Sequence, residues 1–114
     1  MTPMKLRPAY KDYLWGGQRL ITDYGKQTDL NPLAESWELS CHPDGESVIL
    51  TGPAAGKTLR ELLSSPEGKA ILGDNCARFS FFPVLIKLID AKNPLSIQVH
   101  PSDEYALKYE HSYG

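Results

Sequence analysis

The hydrophobic and polar positions along the first half of the chain predict short β-strands. Residues 5–9 favour an edge strand, because Pro8 removes one backbone donor from any ladder. Residues 35–40 alternate polar and apolar side chains, as expected for a half-buried strand. A tight-turn sequence at residues 42–45 and a second β-like run at residues 47–51 follow it. Together these signals predict a hairpin over residues 36–51.

Helix signals lie between and after these strands. A short helix is predicted over residues 18–24, with a glycine directly behind it. Thr58 opens a capping box, and Ser65 followed by a proline begins a further helix that Gly73 ends. A serine followed by two acidic residues starts a last predicted helix, over residues 102–110.

Two further strands are predicted near the end of the chain. Residues 83–91 are nearly all apolar, which is typical of a strand covered on both faces. An Asn-Pro turn separates this run from a strand over residues 95–100. No long crossover helix stands between successive strands, so we expect an antiparallel β-sandwich or barrel with inserted helices. Residues 1–114 are expected to form one domain.

Composition and charge exclude several classes of protein. The 114 residues carry 12 basic and 14 acidic side chains, a net charge of -2 without a basic block. A nucleic-acid partner is therefore not expected. The longest apolar stretch, residues 79–86, is too short to span a bilayer, and residues 1–10 lack a signal-peptide core. Cys41 and Cys76 form no CxxC pair and are expected to be reduced thiols of a cytoplasmic protein.

Candidate chemistry lies in the last predicted strand. Gln98 and His100 are two positions apart, so both side chains leave the same face of a strand. An amide oxygen and an imidazole at the mouth of a β-barrel can bind one divalent cation. Catalytic zinc usually takes three protein ligands, however, and only two candidates are present. On the residues alone, a polar strand face with a hydrogen-bonded histidine remains open.

The run NPLSIQVHPSDEYA, which contains both side chains, resembles the signature of the type I mannose-6-phosphate isomerases. Three shorter pieces match in the same order, at residues 13–17, 35–38 and 56–59. These enzymes are cupin-fold zinc proteins. The resemblance implies that Gln98 and His100 are the first two zinc ligands. It also implies that Lys87, in the run LIKLIDAKNP, belongs to the sugar-phosphate site.

The resemblance further implies a fold class, a reaction and a set of partners. The fold would be mainly β, a partial cupin-like antiparallel β-sandwich or barrel with short inserted helices. The reaction would be zinc-dependent interconversion of mannose 6-phosphate and fructose 6-phosphate by proton transfer through an enediolate. A third ligand in a Lys-Thr-Glu-type run, and a second histidine, are missing from the sequence. We therefore expect the N-terminal part of a catalytic domain, inactive alone, which associates with the remaining polypeptide or with itself.

Two other functions fit the residues. A non-catalytic cupin-like module could bind a sugar or a protein partner without a complete metal site. The run from Gly52 to Thr58 resembles a phosphate-binding loop in front of a helix. Three residues separate its glycines where four are required, and Pro53 removes one backbone donor. His42, which is followed by a proline, reads better as part of a turn than as a metal ligand.

Overall fold

The computed structural model describes residues 3–95 together with Ser102 and Glu104. Within this part of the chain the architecture is mainly β, with few short helices, as predicted. The strands form two antiparallel sheets. The first contains β1 (Leu6–Arg7) and β4 (Val48–Ile49), and the second has the order β2 (Ala9–Lys11), β3 (Glu35–Leu39), β5 (Ile86–Ile89).

The helices begin where the sequence predicts them. The Thr58 hydroxyl accepts a hydrogen bond from the backbone N–H of Glu61 at 3.1 Å, and Ser65 caps the next helix in the same way. Gly73, with a φ of 73°, follows that helix and adopts a conformation that other residues rarely take. The helices of the described region are too short to cross a membrane. They are α1 (Arg19–Thr22), α2 (Leu59–Ser64), α3 (Pro66–Leu72) and a 3-10 turn at Asp74–Cys76.

The strand pairing differs from the prediction. The hairpin over residues 36–51 is wrong, because β3 pairs with β2 and β5 while β4 pairs with β1. The two segments that flank the turn at residues 42–45 make isolated contacts, such as the hydrogen bond from the Ser47 N–H to the Ser40 carbonyl at 2.9 Å. The strand predicted over residues 5–9 is divided at Pro8 between the two sheets, since proline has no N–H for a continuous ladder.

One buried hydrophobic cluster joins α2 to the residues at the end of β3. Cys41, Leu59 and Leu63 form a cluster against which Leu39 and Phe82 also pack. The expectation that residues 83–91 are covered on both faces is not met among the described residues. All four residues of β5 are exposed, with Ile86 at 52% and Ile89 at 48%. The predicted strand over residues 95–100 and most of the predicted helix after it lie outside the described residues.

Candidate functional site

Lys87 lies at the centre of the exposed strand β5, directly opposite Trp37 of β3. Side chains of directly paired residues point to the same face of a sheet, so lysine and indole are neighbours. The Lys87 Nζ atom lies 5.9 Å from the centre of the Trp37 ring. About a third of the lysine side chain, 36%, is exposed. The predicted substrate-binding lysine is therefore fixed on the sheet and accessible to a solute.

A buried carboxylate, Glu35, anchors this lysine. Glu35 lies two positions before Trp37 on β3, and the same oxygen atom, Oε1, accepts two hydrogen bonds. One comes from the Trp37 indole N–H at 2.8 Å and the other from the Lys87 ammonium at 3.2 Å. Glu35 is only 6% exposed. Burying a charge is costly unless it is paired, and these two donors provide the pairing.

A second lysine lies over the same indole from β2, the strand on the other side of β3. Lys11 of β2 places its ammonium 4.5 Å from the centre of the Trp37 ring, within the range of a cation–π contact. The same ammonium donates a hydrogen bond to the carbonyl of Asp44. One face of the second sheet thus presents a tryptophan between two cations. We call Lys11, Glu35, Trp37 and Lys87 the basic face.

The opposite face of β3 carries an independent ion pair. Glu38 pairs with Lys26, and its second oxygen accepts a hydrogen bond from the Ser36 hydroxyl at 2.8 Å. The alternation predicted for residues 35–40 places Glu38 and Trp37 on opposite faces, and their separate hydrogen-bond partners agree with it. Two glutamates of one strand thus serve two separate lysines, one on each face of the sheet.

Gln98 and His100, the predicted metal ligands, lie outside the described residues. Among the residues that are described, no three histidine, cysteine or acidic side chains gather closely enough to hold a metal ion. The placement of Gln98 and His100 on one face of a strand stays a prediction. An imidazole nitrogen and an amide oxygen remain suitable donors for a divalent cation.

The segment that leads from β5 toward Gln98 and His100 is held by a turn at residues 13–17, which we call the glycine turn. The backbone N–H groups of Lys92 and Asn93 both donate to the Trp15 carbonyl, at 2.9 and 3.0 Å. The Gly17 N–H donates to the Asp90 carbonyl at 3.2 Å. The glycine turn and residues 90–93, which follow β5, are therefore joined by backbone hydrogen bonds, although they are more than seventy residues apart in the sequence.

The Gly52–Thr58 loop uses several of its backbone donors within the protein. Gly56 donates to the Ile49 carbonyl at 2.8 Å, and Lys57 donates to the Ala54 carbonyl at 3.1 Å. The helix behind the loop, α2, has six residues. A phosphate-binding loop requires unpaired backbone N–H groups, so the structure gives no support to a nucleotide site here.

The two cysteines and His42 have structural surroundings. Cys41 is buried, and burial raises the pKa of its thiol, with the Glu46 carboxylate adding to the effect and Arg60 opposing it. Both cysteines are free thiols, and Cys76 is half-buried. The His42 ring accepts a hydrogen bond from the Asp44 N–H at 3.0 Å, which confirms its predicted place in a turn.

Comparison with known proteins identifies the family. The model of the phosphomannose isomerase type I catalytic domain matches residues 4–112. The chain belongs to the type I phosphomannose isomerase family. A mannose-6-phosphate isomerase of Streptococcus mutans is 37% identical over 112 residues, which cover 98% of this chain and 34% of that protein.

Solved structures of phosphomannose isomerases share the fold. The mannose 6-phosphate isomerase from Bacillus subtilis superimposes with a TM-score of 0.87 at 38% identity, over 97% of this chain and 34% of that one. A mannose 6-phosphate isomerase bound with zinc and yttrium gives 0.73 at 32% identity, over 95% and 28%. The cupin-like fold expected from the sequence is thereby confirmed. The chain spans about a third of the length of these relatives.

The sequence analysis missed the contribution of Glu35 and Lys11 to the basic face. The alternation along β3 places Glu35 and Trp37 on one face, and that signal was available. The pairing of β3 with β5 was not available, because these strands are about fifty residues apart. Without that register, a buried glutamate and a lysine so distant in sequence cannot be recognised as partners.

Proposed function

We propose that the chain is the N-terminal part of the catalytic domain of an aldose–ketose isomerase that interconverts mannose 6-phosphate and fructose 6-phosphate. The match to the type I catalytic domain over residues 4–112 carries this proposal. The basic face supports it, because the partly exposed Lys87 ammonium suits an anionic sugar phosphate. Two free thiols fit an enzyme of the reducing cytoplasm.

Lys87 is the residue of the described region that we assign to the substrate. Isomerisation moves a proton between C1 and C2 of the open-chain sugar and leaves negative charge on oxygen in the enediolate. The phosphate group carries further negative charge. A lysine ammonium, a compact point charge with three donors, can bind such an anion. Its position on a paired strand limits how far the charge moves between the free and the bound enzyme.

Gln98 and His100 are the residues to which we assign a zinc ion. Support comes from the donor types, an amide oxygen and an imidazole nitrogen, and from the relative whose structure is bound with zinc. Zinc, when bound, would supply a cation to which sugar oxygens are attracted. The remaining ligands are expected beyond these 114 residues.

The activity is tested with the complete enzyme that carries this chain. Purified, zinc-loaded enzyme should convert mannose 6-phosphate to fructose 6-phosphate, as followed by a coupled assay of the ketose product. Lys87→Met should raise KM by at least tenfold, because it removes one charge-assisted contact to the anion, worth about 1.5–3 kcal/mol. Lys92→Met removes a lysine five residues later and should leave KM within about twofold. A complete enzyme that binds the sugar phosphate without converting it would favour the non-catalytic module.

The metal assignment has a separate test. His100→Ala should reduce bound zinc in the complete enzyme from one equivalent to well below it, measured by mass spectrometry of the metal after dialysis. His111→Ala is the matched control, since it removes a histidine from the polar run at residues 109–113 and should leave the zinc content unchanged. Full zinc occupancy in the His100→Ala protein would refute the assignment.

A further inference from the structure

The pair of Glu35 and Lys87 is asymmetric. The carboxylate is almost completely buried, whereas 36% of the lysine side chain reaches solvent. Ion pairs of this kind add little to stability, because the cost of burying the anion offsets the attraction. A glutamate that served only the fold could be replaced by an apolar side chain at this position. We therefore look for the role of Glu35 in its effect on the exposed partner, Lys87.

Trp37 completes the arrangement. The indole N–H and the ammonium share the atom Oε1 of Glu35, so the indole bond fixes the oxygen to which the ammonium then binds. The side chain of Lys87 has four rotatable bonds, and its charge would otherwise sample a wide volume. Ordering it when substrate arrives would cost binding free energy, which an already ordered lysine does not lose.

We propose that Glu35, oriented by Trp37, is a positioning residue that holds the Lys87 ammonium in place for the anionic sugar phosphate. The inference rests on the proposed function, since it takes the substrate from there. Glu35 acts through Lys87 and does not itself contact the sugar. Glu35 is itself an anion, so a role limited to neutralising Lys87 would weaken substrate binding. The two roles therefore predict opposite changes in KM when the carboxylate charge is removed.

The test is Glu35→Gln in the complete enzyme, with kcat and KM measured for mannose 6-phosphate. The amide keeps the shape and can still accept the indole N–H, but it binds the ammonium more weakly. We expect KM to rise about fivefold to tenfold, reflecting the lost ordering of the lysine, while kcat stays within about twofold. Glu38→Gln is the matched control, because it breaks a glutamate–lysine pair on the same strand but the opposite face. Its KM should not change.

A double-variant cycle separates positioning from a purely structural role. In the Lys87→Met background, Glu35→Gln should have no further effect on KM, because the lysine that it positions is gone. Trp37→Phe removes the indole donor and should raise KM in the same direction by a smaller factor. If Glu35→Gln loses structure, its melting temperature will fall well below that of Glu38→Gln. Trp37→Phe, measured alone and in the Lys87→Met background, then decides.

The outcomes distinguish this inference from the function on which it rests. A wild-type complete enzyme without isomerase activity would refute the proposed function and, with it, the substrate named here. If the wild type is active, three results would overturn the positioning role alone. Glu35→Gln could lower KM, leave KM as unchanged as Glu38→Gln does, or raise KM by its full factor in the Lys87→Met background as well. An increase in KM that vanishes in the Lys87→Met background supports it.

Discussion

Asp90 caps the N-terminus of α1 from a position 71 residues away, by accepting the backbone N–H of Arg19 at 2.8 Å. Its other oxygen accepts the guanidinium of the same arginine, also at 2.8 Å. The carboxylate is 3% exposed, whereas 68% of the arginine side chain is exposed. The contact connects the residue after β5 to the first helix and the glycine turn before it. We therefore expect this single carboxylate to order the segment that leads toward Gln98 and His100.

Asp90→Asn is expected to destabilise the protein by about 2 kcal/mol, the usual cost of weakening bonds to a buried charged acceptor. Arg19→Ala should cost less, about 0.5 kcal/mol, because it removes only a largely exposed side chain and leaves the backbone bond intact. Urea unfolding of both variants, analysed with a common m-value, measures the difference in their free energies of unfolding. An Arg19→Ala variant as unstable as Asp90→Asn would show that the guanidinium, rather than the helix cap, carries the contact.

Gly16 permits the close approach between the glycine turn and the strand region at Ala34. A Cβ atom at position 16 would lie 2.5 Å from the Ala34 Cα atom and 2.6 Å from its Cβ atom. Gly16→Ala should therefore force backbone movement and cost about 1–3 kcal/mol in the free energy of unfolding. The control is Gly25→Asn, because position 25 has open space and a φ of 68°, which asparagine tolerates. Equal stability of the two variants would contradict this account.

The helices of the described region were predictable because their signals are local. Thr58 and Ser65 each act on a backbone N–H three residues later, so four consecutive residues contain the information. The strands at residues 35–40 and 83–91 were likewise recognised from their own patterns, although β5 is shorter than its apolar run. Their partners were not predicted, because pairing depends on residues far apart in sequence. The predicted hairpin failed for that reason.

The site residues named from the sequence also depend on a local signal. Lys87, Gln98 and His100 were singled out through a local motif and its family resemblance. Glu35 was missed as the partner of Lys87 because the sheet register between β3 and β5 brings them together across 52 positions. Exposure of β5 could not be read from its composition either. An apolar run indicates that a strand is buried in the complete fold, but it does not say which residues bury it.

Cys41 and Cys76 should differ strongly in their reaction with iodoacetamide. Cys41 is 2% exposed and burial raises the pKa of its thiol, so little of the reactive thiolate is present at pH 8. Cys76 is half-buried. Mass spectrometry of alkylated peptides should show Cys76 reacting at least about tenfold faster. Cys76→Ser should leave only the slow reaction, and both sites should react alike in urea; equal rates in the folded protein would contradict the prediction.

The same thiol predicts a loss of stability at alkaline pH. Because the pKa of Cys41 is higher in the folded than in the unfolded chain, folding favours the protonated thiol. Its contribution to the free energy of unfolding is full below the ordinary value of 9.0 and is lost as pH rises through the folded pKa. Urea unfolding between pH 7 and pH 10.5 should show this loss. In Cys41→Ala the decline should be smaller, and an equal decline in both proteins would assign it to other groups.

Strand β5 should make the isolated 114-residue chain self-associate. Apolar side chains are exposed on both of its faces, with Leu88 at 37% and Ile89 at 48%. An exposed apolar strand is a template for pairing with another chain. Light scattering after size exclusion should give a mass above 12.7 kDa that rises with concentration. Leu88→Lys should reduce that mass, because a charge on the strand opposes pairing.

Leu14→Lys is the matched control for this effect. Leu14 is 90% exposed but lies outside the described strands. The substitution therefore changes charge and hydrophobicity by the same amount as Leu88→Lys without altering β5. We expect it to leave the association unchanged. Joining the chain to the rest of the enzyme should abolish the concentration dependence that arises from β5, since the covering residues are then present. A 114-residue preparation that stays monomeric at high concentration would show that β5 needs no cover.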